Sequence, residues 1–347
     1  MKFYTQTHKY YCGIDLHARC LYVCILDQDG DPLVHKNINA SPDALLKIIA
    51  PYREDLVIGV ECMFSWYWLA DLCRDQQITF ILGHALYMRA IHGGKAKNDK
   101  IDSQKIAILM RGGMFPEAYV YPREMRGTRD LMRRRIHLMR KRSELLAHVQ
   151  NTNSQYNLAE IGKDLRQAAN RAGVAERFHD PSVQKSIELD LNLIGFYDQQ
   201  LKKVEWHILK HARACDQQSL LLLRSVPGIG RILSLAMLYE IHTIERFATV
   251  QDFASYCRLI KCRKESAGKS YGTSGRKIGN AYLKWAFSEA AVLFLRQNPQ
   301  AQDWLKKLAN KHNKARALTI LAHKLGRAVY FMLKRKTLFE QQRFLNN

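Results

Sequence analysis

The amino-acid sequence predicts an α/β domain at the amino terminus followed by an all-α region. Over the first 118 residues, short apolar segments are bounded by turn residues and then alternate with helical patterns. From about Arg123 onward, apolar residues recur at intervals of three and four, which is the spacing of amphipathic helices. At 347 residues the chain is long enough for two or three domains.

The predicted α/β domain contains five strands, each a short apolar segment. The first three follow one another as a meander, with a turn at Asp27–Pro32. Ser41 caps a helix after the third strand, and a second helix separates the fourth strand from the fifth. The predicted strands are Tyr10–Ile14, Leu21–Leu26, Leu33–Ile38, Leu56–Val60 and Ile78–Leu82.

Four carboxylates occupy positions that this domain would bring together. Asp15 follows the first strand and Glu61 follows the fourth, so each acid lies where a buried strand ends. Asp99 and Asp102 are three residues apart at the start of a helical pattern, which places both on one helix face. Any one acid alone is more often a helix cap or a solvated strand end. Their joint placement favours a functional cluster.

Such a cluster predicts a divalent metal site. Carboxylates that lie together repel one another, and a cation between them removes the repulsion. Oxygen ligands without a Cys/His zinc spacing favour Mg²⁺ or Mn²⁺. Two such ions about 3.5–4 Å apart form a clamp for in-line displacement at phosphorus. The acids therefore predict metal-dependent phosphoryl transfer.

The chain is strongly basic, with a formal net charge of +22, while 47% of its residues are hydrophobic. A folded protein with this excess is expected to bind an extended polyanion, and nucleic acid is preferred over a membrane surface. No apolar segment reaches the roughly 18 residues of a membrane span, and Met1–Tyr11 is too polar for a signal peptide. We therefore expect a cytoplasmic protein that does not contact a membrane.

A basic amphipathic helix is predicted from about Arg123 to Arg142. Apolar residues such as Leu131 and Ile136 alternate with its arginines, and little acid offsets the charge. Basic faces are usually only solvated, but this one favours contact with a nucleic-acid backbone. The residues of this helix that we predict to contact nucleic acid are Arg129, Arg133, Arg134 and Arg135.

A second long helix is predicted from Ile187 to Ile208, where apolar residues recur at alternating spacings of three and four. This seam fits an intramolecular hairpin with the Leu131–Val149 helix, and it fits equally an interface between subunits.

A glycine turn at Pro227–Gly230 lies between two helical patterns. It predicts a helix-hairpin-helix, in which Gly228, Gly230 and the following helix N-terminus would bind phosphate. An ordinary connection between helices is the alternative.

The segment at residues 258–280 is rich in glycine, serine, lysine and arginine and predicts a flexible basic loop. The position five residues before Gly268, where a P-loop requires glycine, is not a glycine, so no nucleotide site is predicted. Lys269 and Lys277 are predicted to contact phosphate.

These motifs together resemble the DEDD transposases of the insertion sequence 110 family. The likeness rests on Gly13–Asp15, the strand ending at Glu61, Asp99-x-x-Asp102 at a helix start, Glu265–Gly268 and Lys277–Asn280. The resemblance implies a RuvC-like, ribonuclease-H-type domain at 1–118 and a helical transposase domain with the helix-hairpin-helix at 216–347. The helical patterns between them predict a basic helical, coiled-coil segment at 119–215.

The resemblance also implies a serine nucleophile. The family pattern Glu-Ser-Gly corresponds to Glu265-Ser266-Ala267-Gly268, so the nucleophile falls on Ser266. The inserted Ala267 departs from the pattern, and Ser270 and Ser274 therefore remain weaker candidates.

By the same resemblance, Asp15, Glu61, Asp99 and Asp102 would hold the metal in a bacterial, nucleoid-associated enzyme. Such an enzyme would cut and rejoin donor and target DNA, guided by a structured bridge RNA. Its active site would be composite between the subunits of a dimer or tetramer. A RuvC-type junction resolvase, which needs only the acids, a site-specific DNA invertase and a non-catalytic binding protein are the alternatives.

Overall fold

The computed structural model describes residues 2–91, 98–212, 216–274 and 278–346. It divides into two compact units, Met1–Glu124 and Met125–Asn347, which we call the amino-terminal and carboxy-terminal units. The first unit is α/β and the second is helical apart from one small hairpin, which confirms the predicted fold class at this level. The finer division into three segments, with boundaries after residues 118 and 215, stays a prediction.

The amino-terminal unit contains a five-stranded sheet, helices on both faces of that sheet and a two-stranded ribbon. All five predicted strands are present, each within two residues of its expected ends. The strands are β1 (Phe3–Tyr4), β2 (Tyr10–Leu16), β3 (Cys20–Leu26), β4 (Pro32–Asn39), β5 (Leu56–Glu61), β6 (Thr79–Gly83) and β7 (Phe115–Pro116). The helices are α1 (Pro42–Ile49), α2 (Tyr67–Asp75), α3 (Ala85–Ile91) and α4 (Asp99–Arg111), with a 3-10 turn at Ala50–Asp55.

The sheet has the strand order β4-β3-β2-β5-β6. Strands β4, β3 and β2 are antiparallel neighbours, whereas β2, β5 and β6 run parallel. The parallel strands β2 and β5 therefore carry their carboxyl ends, with Asp15 and Glu61, to the same edge. An antiparallel meander continued by parallel strands is consistent with a RuvC-like domain.

Successive residues of a strand face opposite sides of the sheet, and this alternation decides where the acids point. Ile14 in β2 and Ile58 in β5 are buried in the core shared with α1 and α2. Tyr11 and Val57, on the other face, are buried with α4. Asp15 is four residues after Tyr11 in β2, and Glu61 is four residues after Val57 in β5. Each acid is therefore on the same face as that residue, which is the face that α4 covers.

Helix α4 lies very close to the two central strands. A Cβ atom at Gly13 would be 2.2 Å from the carbonyl oxygen of Ser103 and 2.5 Å from the amide nitrogen of Ala107. At Gly59 a Cβ atom would be 2.3 Å from Sδ of Met110. Only glycine permits this approach, and each glycine stands two residues before an acid of the predicted cluster.

The carboxy-terminal unit is built from helices around a large apolar core. Its first helix, α5 (Arg123–Gln155), begins two residues before the division between the units. The other helices are α6 (Pro181–His211), α7 (Gln217–Arg224), α8 (Arg231–Ile241), α9 (Val250–Tyr256), α10 (Ala281–Phe294), α11 (Pro299–Lys311), α12 (Lys314–Arg335) and α13 (Gln341–Asn346). Its strands are β8 (Cys262–Ser266) and β9 (Lys269–Ser274), and short 3-10 turns occupy Ala168–Asn170, Ala175–Arg177 and Ile244–Arg246.

The two long helices α5 and α6 form an antiparallel hairpin within the chain. Arg135 Nη2 lies 2.6 Å from Glu205 Oε1. About two helical turns further along α5, Arg142 Nη1 lies 2.7 Å from Asp198 Oδ1 of α6. The apolar seam predicted for α6 is largely buried, with Ile194 in the core that α6 shares with α5. Of the two predicted arrangements, the structure therefore contains the intramolecular hairpin.

Within the described parts of the chain, no helix combines the length and the apolar character required to cross a bilayer.

Candidate metal centre and serine hairpin

Asp15 and Asp99 converge on His17 at the edge of the sheet. The Nε2 atom of His17 lies 3.2 Å from Oδ2 of Asp15 and 3.3 Å from Oδ2 of Asp99. One ligand atom from each of the three residues lies within 4.8 Å of the others. The first strand and the first turn of α4 therefore meet as the sequence predicts.

The carboxyl group of Asp15 lies in an unfavourable electrostatic environment. Burial raises its pKa, His17 lowers it in part, and the negative charges of Asp99 and Asp102 raise it further. The net shift is upward, so the ionised form of Asp15 is disfavoured where it stands. A bound cation would reverse this effect, which is the behaviour expected of a metal ligand.

The other two predicted acids lie near this group of three but outside it. Asp102 is three residues after Asp99 on α4, which is nearly one helical turn. Its Oδ1 atom lies 3.6 Å from Nζ of Lys105. Glu61 follows Val60, which pairs with Ile14, so it takes the position beside Asp15 on the neighbouring strand. Asp99 and Asp102 of α4 thus lie near Asp15, and the strand register puts Glu61 on the same edge of the sheet as Asp15.

The start of α4 is held by local contacts as well as by the close approach at Gly13. Asn98 is the N-cap, and its side-chain oxygen accepts a hydrogen bond from the amide of Lys100 at 2.9 Å. The carbonyl oxygen of Lys100 lies 2.9 Å from Nε2 of His35 on β4. These contacts fix the turn that carries Asp99 and Asp102.

His17 is the residue of this site that sequence reasoning missed. Its ring nitrogen lies among the acids, although the prediction of oxygen ligands did not include it. The sequence did indicate that His17 could join the site, because it is the second residue after Asp15. Side chains at this spacing along a strand lie on the same face.

The donor set fits a divalent cation of the Mg²⁺ or Mn²⁺ class. Asp15 and Asp99 offer carboxylate oxygens, which are the ligands that both ions prefer. This fit accords with a divalent-metal-dependent site, and it leaves the identity of the metal open to experiment.

The predicted flexible loop is in fact a β-hairpin over residues 262–274, so that prediction is wrong for these residues. Ser266 ends β8 and pairs with Lys269, which begins β9. Ala267 and Gly268 form the two-residue turn, with φ angles of 50° and 72°. Two consecutive positive φ angles are typical of the type I′ turns that close short hairpins. Ser266, Lys269 and Ser270 are all exposed, whereas Lys277 lies outside the described residues.

The chain returns from this hairpin into a buried polar network. Asn280, the N-cap of α10, donates a hydrogen bond to Oε2 of Glu240 at 2.7 Å. Arg129 Nε and Arg133 Nε lie 3.1 Å and 2.6 Å from the Glu240 carboxylate oxygens. Burial would raise the pKa of Glu240, but the Arg133 hydrogen bond and both positive charges outweigh burial and hold its pKa below the ordinary value.

Part of the charge of the basic helix is therefore offset by acids, which the local sequence did not indicate. Arg129 is buried against Glu240, and Arg133 shares that carboxylate. Arg135 pairs with Glu205. Arg134 is exposed. The opposing acids come from helices far along the chain, which is why the local sequence did not reveal them.

The glycine turn between α7 and α8 contains two different kinds of glycine. Gly228 has a φ of 86°, and a Cβ atom there would be 2.6 Å from the backbone of Leu293 and of Phe294. Gly230 is exposed at the N-cap of α8, with nothing within 4 Å of a Cβ. Gly228 is thus required by packing, and phosphate binding at this turn stays a prediction.

Comparisons with known proteins agree with this geometry. Residues 12–157 match a DEDD transposase model of the IS110 type, and residues 220–306 match the family described as Transposase IS116/IS110/IS902. The chain is 23% identical to the transposase for insertion sequence element IS1111A of Coxiella burnetii, over 93% of this chain and 89% of that protein. It is also 23% identical to the transposase for IS1328 of Yersinia enterocolitica, over 95% of this chain and 98% of that protein.

Proposed function

The chain belongs to the IS110 family of DEDD transposases, and we propose that it cuts and rejoins DNA with an acid-bound divalent cation and a serine nucleophile. Asp15, Glu61, Asp99 and Asp102 would hold the cation, and Ser266 would attack the scissile phosphate. The convergence of Asp15 and Asp99 on one face of the sheet is the observation that carries this proposal.

The acids supply the electrostatic part of the reaction. When bound, the cation would polarise the scissile phosphate and neutralise charge that develops on its oxygens. Asp15 is set in a strand whose backbone pairs on both sides, and Asp99 is held at a capped helix start. Both carboxylates are therefore positioned before substrate binds, which reduces the reorganisation needed during the reaction.

Ser266 supplies the bond-making part. Its hydroxyl oxygen would bond to phosphorus as the bond from phosphorus to one strand's oxygen breaks, and the hydroxyl proton would end on the released strand end. The DNA would then be joined to the serine through a phosphodiester, which conserves the bond energy for rejoining. The exposure of Ser266 on a two-stranded hairpin supports this role, because a reacting phosphate must reach its Oγ atom.

We further propose that Ser266 acts at the acid cluster of another subunit in a dimer or tetramer, and that a structured guide RNA selects the DNA. A serine hydroxyl is a weak nucleophile by itself and requires a base or a metal. The formal charge of +22 supports a partner with many phosphates.

The covalent adduct is the decisive test. Wild-type protein is incubated with labelled donor DNA, its RNA and Mg²⁺ or Mn²⁺, then denatured and resolved by size. We expect an adduct with wild type, none with Ser266→Ala, and none with Asp99→Asn. Ser270→Ala, which alters an exposed serine four residues away, is the matched control and should retain the adduct.

Other outcomes select among the alternatives. An adduct that survives in Ser266→Ala but disappears in Ser270→Ala would move the nucleophile to Ser270. Metal-dependent cleavage without any adduct would indicate hydrolysis, as in a junction resolvase.

We propose that Arg134 and Lys269 contact phosphates, because both are exposed in the carboxy-terminal unit. Arg134→Gln should lower the slope of log affinity against log salt by about one. Arg129→Gln is the control, because Arg129 is engaged with Glu240 and its loss should reduce stability more than the salt slope. Equal changes of slope in the two variants would contradict this assignment.

A further inference from the structure

We propose that His17 is a third protein ligand of the cation and that its imidazole makes the centre prefer Mn²⁺ over Mg²⁺. The inference rests on the proposed function, since it concerns the same metal centre. It adds a nitrogen ligand to what the acid pattern alone implies.

The position of the ring nitrogen is that of a ligand. In an octahedral site with bonds of about 2.1 Å, neighbouring ligand atoms are about 3 Å apart. The Nε2 atom of His17 is 3.2 Å from Asp15 and 3.3 Å from Asp99, close to that spacing on both sides. A small shift of the three side chains would therefore place one cation in contact with all of them.

The backbone that carries His17 is held in place. Its amide donates a hydrogen bond to the carbonyl oxygen of Cys20 at 3.0 Å, across the short turn between β2 and β3. Asp15 lies two residues earlier in β2 and pairs with Tyr22 of β3. Asp15 and His17 thus belong to one hydrogen-bonded hairpin, and their relative position does not depend on a long loop.

The chemistry of the ligand decides which metal is favoured. Mg²⁺ binds oxygen ligands and gives up its water reluctantly, so an imidazole adds little to its affinity. Divalent first-row transition metals accept imidazole nitrogen readily, and Mn²⁺ is the member of that series that also suits carboxylates. A site with two or more carboxylates and one imidazole should therefore hold Mn²⁺ more tightly than Mg²⁺.

The test is to bind Mn²⁺ to the full-length protein and measure the hyperfine coupling of the bound ion to nitrogen by pulsed electron paramagnetic resonance. We expect a directly coordinated nitrogen in wild type and none in His17→Gln. The dissociation constant for Mn²⁺ should rise at least about tenfold in His17→Gln. That for Mg²⁺, measured by competition, should change by less than about threefold.

Two further variants make the result interpretable. His137→Gln removes an exposed histidine of α5 in the other unit, and it should leave the nitrogen coupling unchanged. Asp99→Asn should weaken both metals, because it removes an oxygen ligand that either ion uses. His17 is about half exposed, so its replacement should not unfold the protein, and the melting temperature checks this.

Bound Mn²⁺ without nitrogen coupling in wild type would overturn the role of His17 while leaving the acid site intact. Coupling that persists in His17→Gln, or an equal loss of Mn²⁺ and Mg²⁺ affinity, would overturn it as well. Failure of wild type to bind either ion would remove the metal centre itself, and with it both this inference and the metal part of the proposed function.

Discussion

The acid cluster of the amino-terminal unit and the Ser266 hairpin of the carboxy-terminal unit are built in opposite ways. Asp15 lies in a central strand that is paired on both sides, under a helix in near-contact with the backbone at Gly13. Ser266 lies at the end of an isolated pair of strands, exposed, with its turn open to solvent on the Gly268 side.

The contrast fits the roles that we propose for the two groups. A metal ligand has to stay within a few tenths of an ångström of its place, and only a packed core provides that precision. A nucleophile that attacks a phosphate on a large substrate must instead be reachable. The chain returns from the hairpin into the core at Asn280, whose side chain donates a hydrogen bond to Glu240.

The largest expected effect comes from crowding the acid cluster. Gly13→Ala would push the Cβ atom into the backbone of α4, so α4 must shift. We expect a loss of about 1–3 kcal/mol of stability and, since the helix carries Asp99 and Asp102, a fall in strand cleavage of about a hundredfold. Thermal unfolding and a cleavage assay measure the two effects.

Gly127→Ala is the matched control for this prediction. Gly127 is inside helix α5, and among the described residues beyond its own stretch of helix no atom lies within 4 Å of a Cβ built there. Alanine there should stabilise the protein by about 0.5–1 kcal/mol and leave cleavage unchanged. If Gly13→Ala behaved like Gly127→Ala, the close packing that sets the acid cluster apart would be disproved.

The next effect concerns the buried anchor of the hairpin. Glu240→Gln leaves Arg129 and Arg133 without their shared negative partner, and we expect a loss of up to about 3 kcal/mol near neutral pH. Because the pKa of Glu240 is lowered from 4.5 in the folded protein, its contribution is complete above pH 4.5. It is lost as the pH falls through the lower folded value.

Denaturant unfolding at several pH values tests this prediction. The difference in stability between wild type and Glu240→Gln should be constant above pH 4.5 and should shrink below it. Glu205→Gln serves as the control. The side chain of Glu205 is one-third exposed, so its ion pair with Arg135 should contribute less than about 1 kcal/mol to stability. A difference that grew on acidification would contradict the assignment.

The smallest effect concerns the turn of the hairpin itself. Ala267 has a φ of 50°, a conformation that costs an L-residue roughly 1 kcal/mol and glycine almost nothing. Ala267→Gly should therefore stabilise the hairpin by up to about 1 kcal/mol, which is about fivefold in the protection of its amide protons against exchange. The melting temperature should barely move, since the hairpin adds little to the core. A loss of protection would mean that the turn is not of this type.

Much of the amino-terminal unit could be predicted because its signals are local. Each strand is a run of apolar residues between turn residues, and the burial of such runs follows from their composition. The positions of Asp15, Glu61, Asp99 and Asp102 at element ends could be deduced from the same runs. The recurring Gly-x-acid pattern at Gly13 and Gly59 was available as well, although its reason, the approach of α4, appears only in three dimensions.

The carboxy-terminal unit was harder because its decisive contacts are distant in sequence. Arg129 and Glu240 are 111 residues apart, so the acid that offsets part of the charge of α5 cannot be recognised from the local sequence. The hairpin at 262–274 was hidden by glycine and serine, which indicate loops more often than strands.

The sequence by itself determined the fold class, the strands of the sheet, the placement of the acids at element ends and the family, because each of these depends on residue type and short-range spacing. Tertiary structure alone decided that His17 joins Asp15 and Asp99, that α6 packs on α5 within the chain, and that Arg129 and Arg133 stabilise a buried carboxylate. The physical reason is that charge and coordination depend on distance through space, and spacing along the chain predicts that distance only within one helix or strand.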